Sequence, residues 1–313
     1  MINYIGKRLL ISIPVLFGIS IIAFFIVRLV PGDTVTAMLG TNYNQEQAEV
    51  LRANLGLDQP IITQYFIWLG NLFHGDFGYS HFTSTPVLKA ILVRLPITFE
   101  LTFLSVLIAV VLAIPLGTIA ALKRNSGFDY GSSLFGMLGI SIPNFWLGTL
   151  MILFLSLYAG IFPSGGFVGL KTSILGNLQS MLLPAIALGT AVGAVAMRMT
   201  RSSMLEVTSQ EYIKMARAKG VSNQRLIWRH AIKNALIPVV TVLGIQTGYL
   251  LGGSVVVEQI FGLPGVGQLA LQAITNRDYA LLQGTILFIA SAFVLVNLIV
   301  DVIYGFLNPQ IRY

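Results

Sequence analysis

Cysteine is absent from the 313-residue chain, and charge is scarce: 10% of residues are charged, against about 25% in an average soluble domain. The first absence excludes a disulfide framework, thiol chemistry and cysteine-ligated metal. Three scattered histidines, His74, His81 and His230, make a poor zinc or catalytic set. The second absence excludes an ordinary water-soluble enzyme, because so few acids and bases cannot supply a polar shell. A phosphate-cradling loop is also lacking: Walker A needs Gly-x-x-x-x-Gly-Lys-Ser/Thr, and the only Gly-Lys, Gly6-Lys7, is followed by Arg8. The glycine-rich Gly262-Leu-Pro-Gly265-Val-Gly267 lacks the strand and helix context of a dinucleotide fingerprint.

What remains is apolar. Hydrophobic residues make up 55% of the chain, and they fall into uncharged runs at 9–27, 101–122, 172–197, 234–257 and 279–300, with a sixth inside 130–170. About 20 residues at about 1.5 Å rise cross a bilayer core, so six transmembrane helices are the simplest count, with 135–158 as the third. The first run follows Lys7-Arg8 as a cleaved signal would. It is longer than a signal core of about 7 to 15 residues and no small-x-small site follows, so it is read as a retained helix.

Where the bases sit decides what the net charge of +7 means. Lys7, Arg8, Lys123, Arg124, the bases from Arg198 to Lys233, and Arg312 fall on one side of six spans. Arg52, Lys89, Arg94, Lys171 and Arg277 fall on the other, with Arg28 near the outer end of the first span. The richer side is cytoplasmic, which places both termini inside. Basic character is thus topological, and no soluble basic domain exists to bind nucleic acid.

Pro14, Pro115, Pro143 and Pro184 lie inside spans, as do Gly117, Gly136, Gly139, Gly148, Gly189, Gly193, Gly244, Gly248, Gly252 and Gly253. Such residues allow kinks and close helix packing, which is the first reading, and they also suit a bundle that rocks between two arrangements. Outside the bilayer, 31–96 carries short helix signals. Asn44 opens a helix that Gly56 closes, Pro60 opens another, and Thr85-Pro86 starts a third. This reads as a cap on the outer membrane face, with Tyr65, Phe66, Trp68 and Phe73 suited to the interface.

The inner segment 198–235 is long, basic and patterned as helices. Thr208-Ser-Gln-Glu211 reads as a capping box, from which a helix runs to Gly220, where a positive φ suits the terminus. Ser222 caps the next helix, through Trp228 and His230 into the fifth span. Tyr212, Met215, Ala216 and Lys219 share a face, and Ala216 and Gly220 permit close approach of a partner. On residues alone, this segment reads as a surface-lying basic helix attracted to anionic lipid.

Here the residues carry a family resemblance. Tyr212-Ile-Lys-Met-Ala216-Arg-Ala218-Lys-Gly220, followed by His230-Ala-Ile-Lys-Asn-Ala-Leu-Ile-Pro238, resembles the cytoplasmic loop of bacterial ABC-importer permeases of the dipeptide, oligopeptide and nickel branch. The general importer consensus Glu-Ala-Ala-x-x-x-Gly fits poorly, since Lys214, Met215 and Ala216 stand where Glu-Ala-Ala would be. Arg28-Leu-Val-Pro-Gly-Asp33, Gly56 to Pro60, Arg198-Met-Thr-Arg-Ser-Ser-Met204 and Glu258-x-x-Phe261-x-x-Pro264-Gly265-x-Gly267 extend the match. Arg277-Asp-Tyr279, Asn297-Leu-Ile-Val-Asp301 and Asn308-Pro-x-Ile-Arg312 carry it over nearly the whole chain.

The resemblance implies an all-α integral membrane protein of the type I ABC importer permease fold in the bacterial inner membrane. It has no catalysis and no bound cofactor of its own, ATP and Mg2+ being held by partner subunits. The implied partners are a second homologous permease, two ABC ATPases and an extracytoplasmic solute-binding protein. Peptides are the leading cargo, with nickel or metal chelates and glutathione as alternatives. The ATPase-coupling residues would be Glu211, Tyr212, Met215, Ala216, Arg217, Ala218, Lys219 and Gly220. Glu258, Phe261, Pro264, Gly265 and Gly267 would lie near the outer gate beneath the binding protein, although as a bare sequence they read first as a structural turn.

Polar residues within spans are candidates for the translocation pathway: Asn144, Gln246, Asn297 and Asp301. Asn297 and Asp301 share a helix face, and an unpaired mid-membrane carboxylate would cost roughly 2.5 to 3.5 kcal/mol, so a pair between Asp301 and an inner base such as Arg198 or Arg201 is expected. The chain divides into a first helix at 1–30, an outer segment at 31–96, a five-helix core at 97–307 that includes the coupling segment 198–235, and a tail at 308–313. A secondary transporter would need more spans and an internal repeat, and no repeat is found. A membrane enzyme would need converging carboxylates, a His-Glu motif or a Ser-Lys pair, and none is found.

Overall fold

The structure is a computed structural model and describes residues 2–29, 35, 39, 44–54 and 56–307. Arg312, the motif at 308–312 and the 30–33 end of the first motif lie outside the described residues. The first helix, α1 (Ile2–Leu29), leads into the outer segment. There α2 (Gln45–Asn54) begins where Asn44 Oδ1 accepts the Glu46 amide at 2.9 Å, and it closes at Gly56, whose φ of +64° an L side chain rarely adopts. Pro60 precedes α3 (Ile61–Phe73). A two-stranded antiparallel hairpin follows, β1 (Tyr79–Ser80) against β2 (Thr85–Pro86). It hands over at Pro86 to α4 (Val87–Leu122), so the second span begins well before residue 101.

The third span departs from expectation. Instead of one straight helix over 135–158, α5 (Gly127–Ser141) and α6 (Asn144–Met151) meet at a bend of 100°, measured with the π turn Ile152–Tyr158 that continues α6. Pro143 is the cause: its missing amide and its restriction on Ile142, which sits extended at ψ 120°, stop the helix there. Next come α7 (Ile174–Ser209), α8 (Glu211–Ala218) and α9 (Ile232–Gly253), the last entered through Asn223–Arg225 and a π turn at Leu226–Ala231. Short α10 (Val255–Ile260) and α11 (Val266–Thr275) precede α12 (Tyr279–Leu307). Among the described residues five helices are long and apolar enough to cross a membrane, or six if the bent pair is one span.

Helix α7 is the axis of the bundle, with 72% of its most apolar stretch buried against 22% for α1. It packs against α4 through small residues at four-residue spacing. Ser105, Ala109, Ala113 and Gly117 are buried on α4, facing Gly189, Gly193 and Thr200 on α7. Lipid offers no hydrophobic drive between helices, so close backbone approach through such stripes supplies the attraction. A Cβ on Gly189 would stand 2.7 Å from the Ser105 carbonyl oxygen, which backbone cannot yield. Gly189→Val is therefore expected to destabilise the fold by about 1 to 3 kcal/mol, read as a lower melting temperature of the purified protein. Gly244, Gly248 and Gly252 on α9 meet Val300, Phe293 and Ile289 on α12 in the same manner.

Candidate functional site

At the foot of the bundle, α7 runs on to Ser209 because Met204 and Ser203 stay buried against neighbouring helices. The expected capping box is therefore not formed. Thr208 lies in the last turn of α7, and its hydroxyl donates back to the Met204 carbonyl at 2.7 Å. Gln210, extended at ψ 148°, is the whole joint, and the Glu211 carboxylate accepts from Lys214 Nζ at 2.7 Å instead. Ser222 flanks the next helix without a side-chain capping bond. The other end of α8 matches expectation. Gly220 has φ +80°, its amide donates to the Arg217 carbonyl at 3.0 Å, and the Val221 amide donates to the Ala216 carbonyl at 3.2 Å. That pair of bonds is a Schellman closure.

Helix α8 is seated by Ile213, 1% exposed, in a cluster with Ala121 at the end of α4, Met204 of α7 and Leu226, Ala231, Ile232 and Ala235 leading into α9. It thus touches the ends of three long helices. Tyr212 Oη also accepts from Asn234 Nδ2 at 2.8 Å. Tyr212 (42%) and Met215 (58%) are exposed, with Glu211, Arg217, Ala218, Lys219 and Gly220 beside them. Ala216 does not belong to that outward face: it is half-buried and packs inward on the cluster. Nor is Gly220 crowded within the chain, since a Cβ there would meet nothing within 4 Å.

Halfway up, a cavity of about 230 Å³ is lined by Asn144, Gln246, Ile140, Leu188, Val192 and Tyr249. Asn144 reaches it because the Pro143 bend starts α6 there, and Gln246 projects from α9. The other two polar residues of the expected quartet do not join them. Asp301 pairs with Arg8 of α1 at 2.9 Å, not with Arg198 or Arg201, and Asn297 lies one turn from it on α12. Arg201 is committed elsewhere, its Nη2 donating to Asp129 Oδ2 at 2.8 Å.

On the opposite side of the bundle from α8, the 258–267 motif folds around a buried carboxylate. Glu258 is 0% exposed; its Oε1 accepts from Thr98 at 3.0 Å and from Ser254 at 2.9 Å, and its Oε2 accepts from the Gln268 amide at 2.8 Å. Thr98 also accepts the Val266 amide at 2.8 Å, so two first-turn amides of α11 end on side chains from outside that helix. Gly265 and Gly267 leave room for the carboxylate: a Cβ on either would come within 2.4 Å and 3.0 Å of it, respectively. Phe261 is buried, and its carbonyl accepts the Gly166 amide at 2.8 Å. Pro264 is half-buried in the same turn. The motif is a built loop whose named residues mostly face inward.

Two family models cover the chain: the membrane component's N-terminal model over residues 1–102, and the binding-protein-dependent transport system inner membrane component over residues 113–313. The chain belongs to this family. It is therefore a permease subunit of the bacterial inner membrane, and its apolar helices suit a multi-pass membrane protein. The permease is 41% identical to the oligopeptide transport system permease protein AppB of Bacillus subtilis (strain 168), over 100% of both chains. It is 42% identical to the di/tripeptide transport system permease protein DppB of Pseudomonas aeruginosa (strain UCBPP-PA14), over 100% of this chain and 99% of that one. Identity to the glutathione transport system permease protein GsiC of Escherichia coli (strain K12) is also 42%, over 100% of both. In fold it resembles the inward-facing MetNI methionine ABC transporter, with a TM-score of 0.56 at 19% identity over 71% of this chain and 97% of that chain. The type I importer permease fold is thus the right class.

Thr98, which completes the permease's buried cluster, gave no signal in the sequence: it is one threonine in an apolar run. Asp278 was visible only as part of Arg277-Asp-Tyr279. It accepts from Ser80 at 2.6 Å and from the Phe82 and Leu281 amides at 3.0 Å, tying the hairpin to the start of α12.

Proposed function

We propose that this permease forms half of a path for short peptides, with both termini cytoplasmic, receiving cargo from a solute-binding protein and pairing with a second homologous permease. On this reading α8 docks on one of two ABC ATPase subunits, which hold the ATP and Mg2+. The observation that carries it is the seating of α8. Its inward residues touch the ends of α4, α7 and the segment entering α9, while Tyr212 and Met215 stay exposed. A push on that outward face reaches three membrane helices at once, and the π turn at Leu226–Ala231 is a natural place for the helix to give. The cavity supports a peptide: Asn144 and Gln246 bring neutral amides that both donate and accept, matching backbone N–H and C=O groups.

Because the chain has no cysteine, a single introduced one is unique. With Met215→Cys in the assembled transporter, a short thiol-to-amine cross-linker is expected to join the permease to an ATPase subunit, with a yield that changes when ATP is added. Uptake of labelled di- and tripeptides should proceed in the same membranes. No cross-link from Met215→Cys or Tyr212→Cys in complexes that still transport would overturn the docking; uptake of metal chelates but no peptide would overturn the cargo.

A further inference from the structure

Helix α3 carries no charged residue across Ile61–Phe73, and it is held beside a membrane span rather than above one. Tyr65, 6% exposed, shares a hydrogen bond of 2.8 Å with Ser20 and packs edge-on against Phe24, with ring centroids 5.2 Å apart. Trp68 meets the same phenylalanine at 5.5 Å. Arg28 stacks on Phe24 at 3.5 Å and donates to Gln64 Oε1 at 2.7 Å. The apolar stretch of α1 ends at Arg28. Phe24 and Ser20 lie four and eight residues before it, about 6 and 12 Å deeper at about 1.5 Å per residue. The underside of α3 is therefore locked to side chains below the end of the span.

At 100° per residue, Ile62, Leu69, Phe73 and Phe66 form one arc beside the α1-facing side. Ile62, Phe66 and Phe73 are exposed, Phe73 at 84%, while Thr63, Gln64 and Asn71 lie on the other side of the helix with Ile67 the lone large apolar group among them. On α1 itself Ile22, Phe25 and Ile26 also stand unburied, as side chains facing lipid would. We propose that α3 is an interfacial helix, its Ile62, Phe66 and Phe73 side chains sunk in the acyl-chain zone of the leaflet at the C-terminal end of α1, the outer one in the orientation given above. The depth fits: amphipathic helices of this kind lie about 5 to 10 Å into the headgroup and acyl boundary. Such a helix fixes the height of the outer segment on the membrane, whichever cargo the permease carries.

The test uses the full chain in vesicles of phosphatidylethanolamine and phosphatidylglycerol, with a nitroxide on a single cysteine. Collision with oxygen, which concentrates in lipid, is compared with collision with a water-soluble nickel chelate. Phe103→Cys on exposed α4 surface serves as the lipid reference and Asn71→Cys as the water reference. Ile62→Cys, Phe66→Cys and Phe73→Cys are expected to match Phe103→Cys, with an oxygen-to-nickel ratio several-fold above that of Asn71→Cys. Ratios equal to that of Asn71→Cys would place the arc in water and overturn the proposal. Protection from both agents would show that protein covers it, and would overturn the proposal equally. Either failure leaves peptide uptake and ATPase cross-linking unaffected, so it is distinguishable from a failure of the transport reading.

Discussion

Glu258→Ala is expected to lower the stability of the permease by about 3 kcal/mol or more, and with it peptide uptake. Each buried partner left without its hydrogen bond costs about 1 to 3 kcal/mol, and Glu258 satisfies three of them: the Thr98 and Ser254 hydroxyls and the Gln268 amide. Its partners come from different parts of the chain, since Thr98 belongs to α4 and Gln268 to the first turn of α11. Removing the carboxyl group therefore removes one of two ties between the second span and the 258–267 loop, leaving only the Val266 amide on Thr98. Gly265→Ala should injure the same cluster from the other side, because its Cβ would fall 2.4 Å from the carboxylate.

These two losses are expected not to add. In Glu258→Ala/Gly265→Ala the new methyl group occupies space the carboxylate has vacated, so the double variant should be more stable than the sum of the singles by about 0.5 to 3 kcal/mol, the coupling typical of residues in contact. Thermal unfolding of all four proteins in nanodiscs checks this. Strict additivity, or a Glu258→Ala protein that melts with the wild type, would show that the carboxylate is not what the loop is built around.

What could be read from the sequence, and what could not, divides by the range of the interaction. Gly220 and Gly56 end helices through their own backbone freedom, and Asn44 caps through its own side chain, so each was legible from a few neighbouring residues. The Thr208–Glu211 spacing was equally local and still misled. A capping-box pattern does not say whether the preceding helix has finished, and α7 had buried contacts to make as far as Met204. Pro143 announced a break but not its 100° angle, which follows from how α5 and α6 pack on α7. Asn144 and Gln246, placed at similar depth by counting along each helix, line one cavity. The partner of Asp301 could not be counted in that way. Arg8 and Arg201 lie on the same side, and only helix order around the bundle decides that α1, not α7, stands next to α12 at that level.

Gly220→Glu is expected to abolish most ATP-driven uptake, by at least about tenfold, equivalent to about 1.4 kcal/mol, while membrane abundance stays normal. Within the chain this change is mild. A Cβ at Gly220 meets nothing within 4 Å, so the strain is that of an L residue at φ +80°, about 1 to 2 kcal/mol. A carboxylate at a helix C-terminus adds about 0.3 to 1 kcal/mol against the dipole. Gly220→Ala carries the backbone strain without the charge or the bulk and is expected to retain most uptake. The difference between the two variants therefore isolates what presses on α8 from outside. If an ATPase cleft encloses this helix end, glutamate fails where alanine succeeds, and basal ATP hydrolysis continues without transport. If both variants transport alike at normal abundance, nothing encloses the end of α8, and the basic helix lies on lipid with its charge neutralised by headgroups.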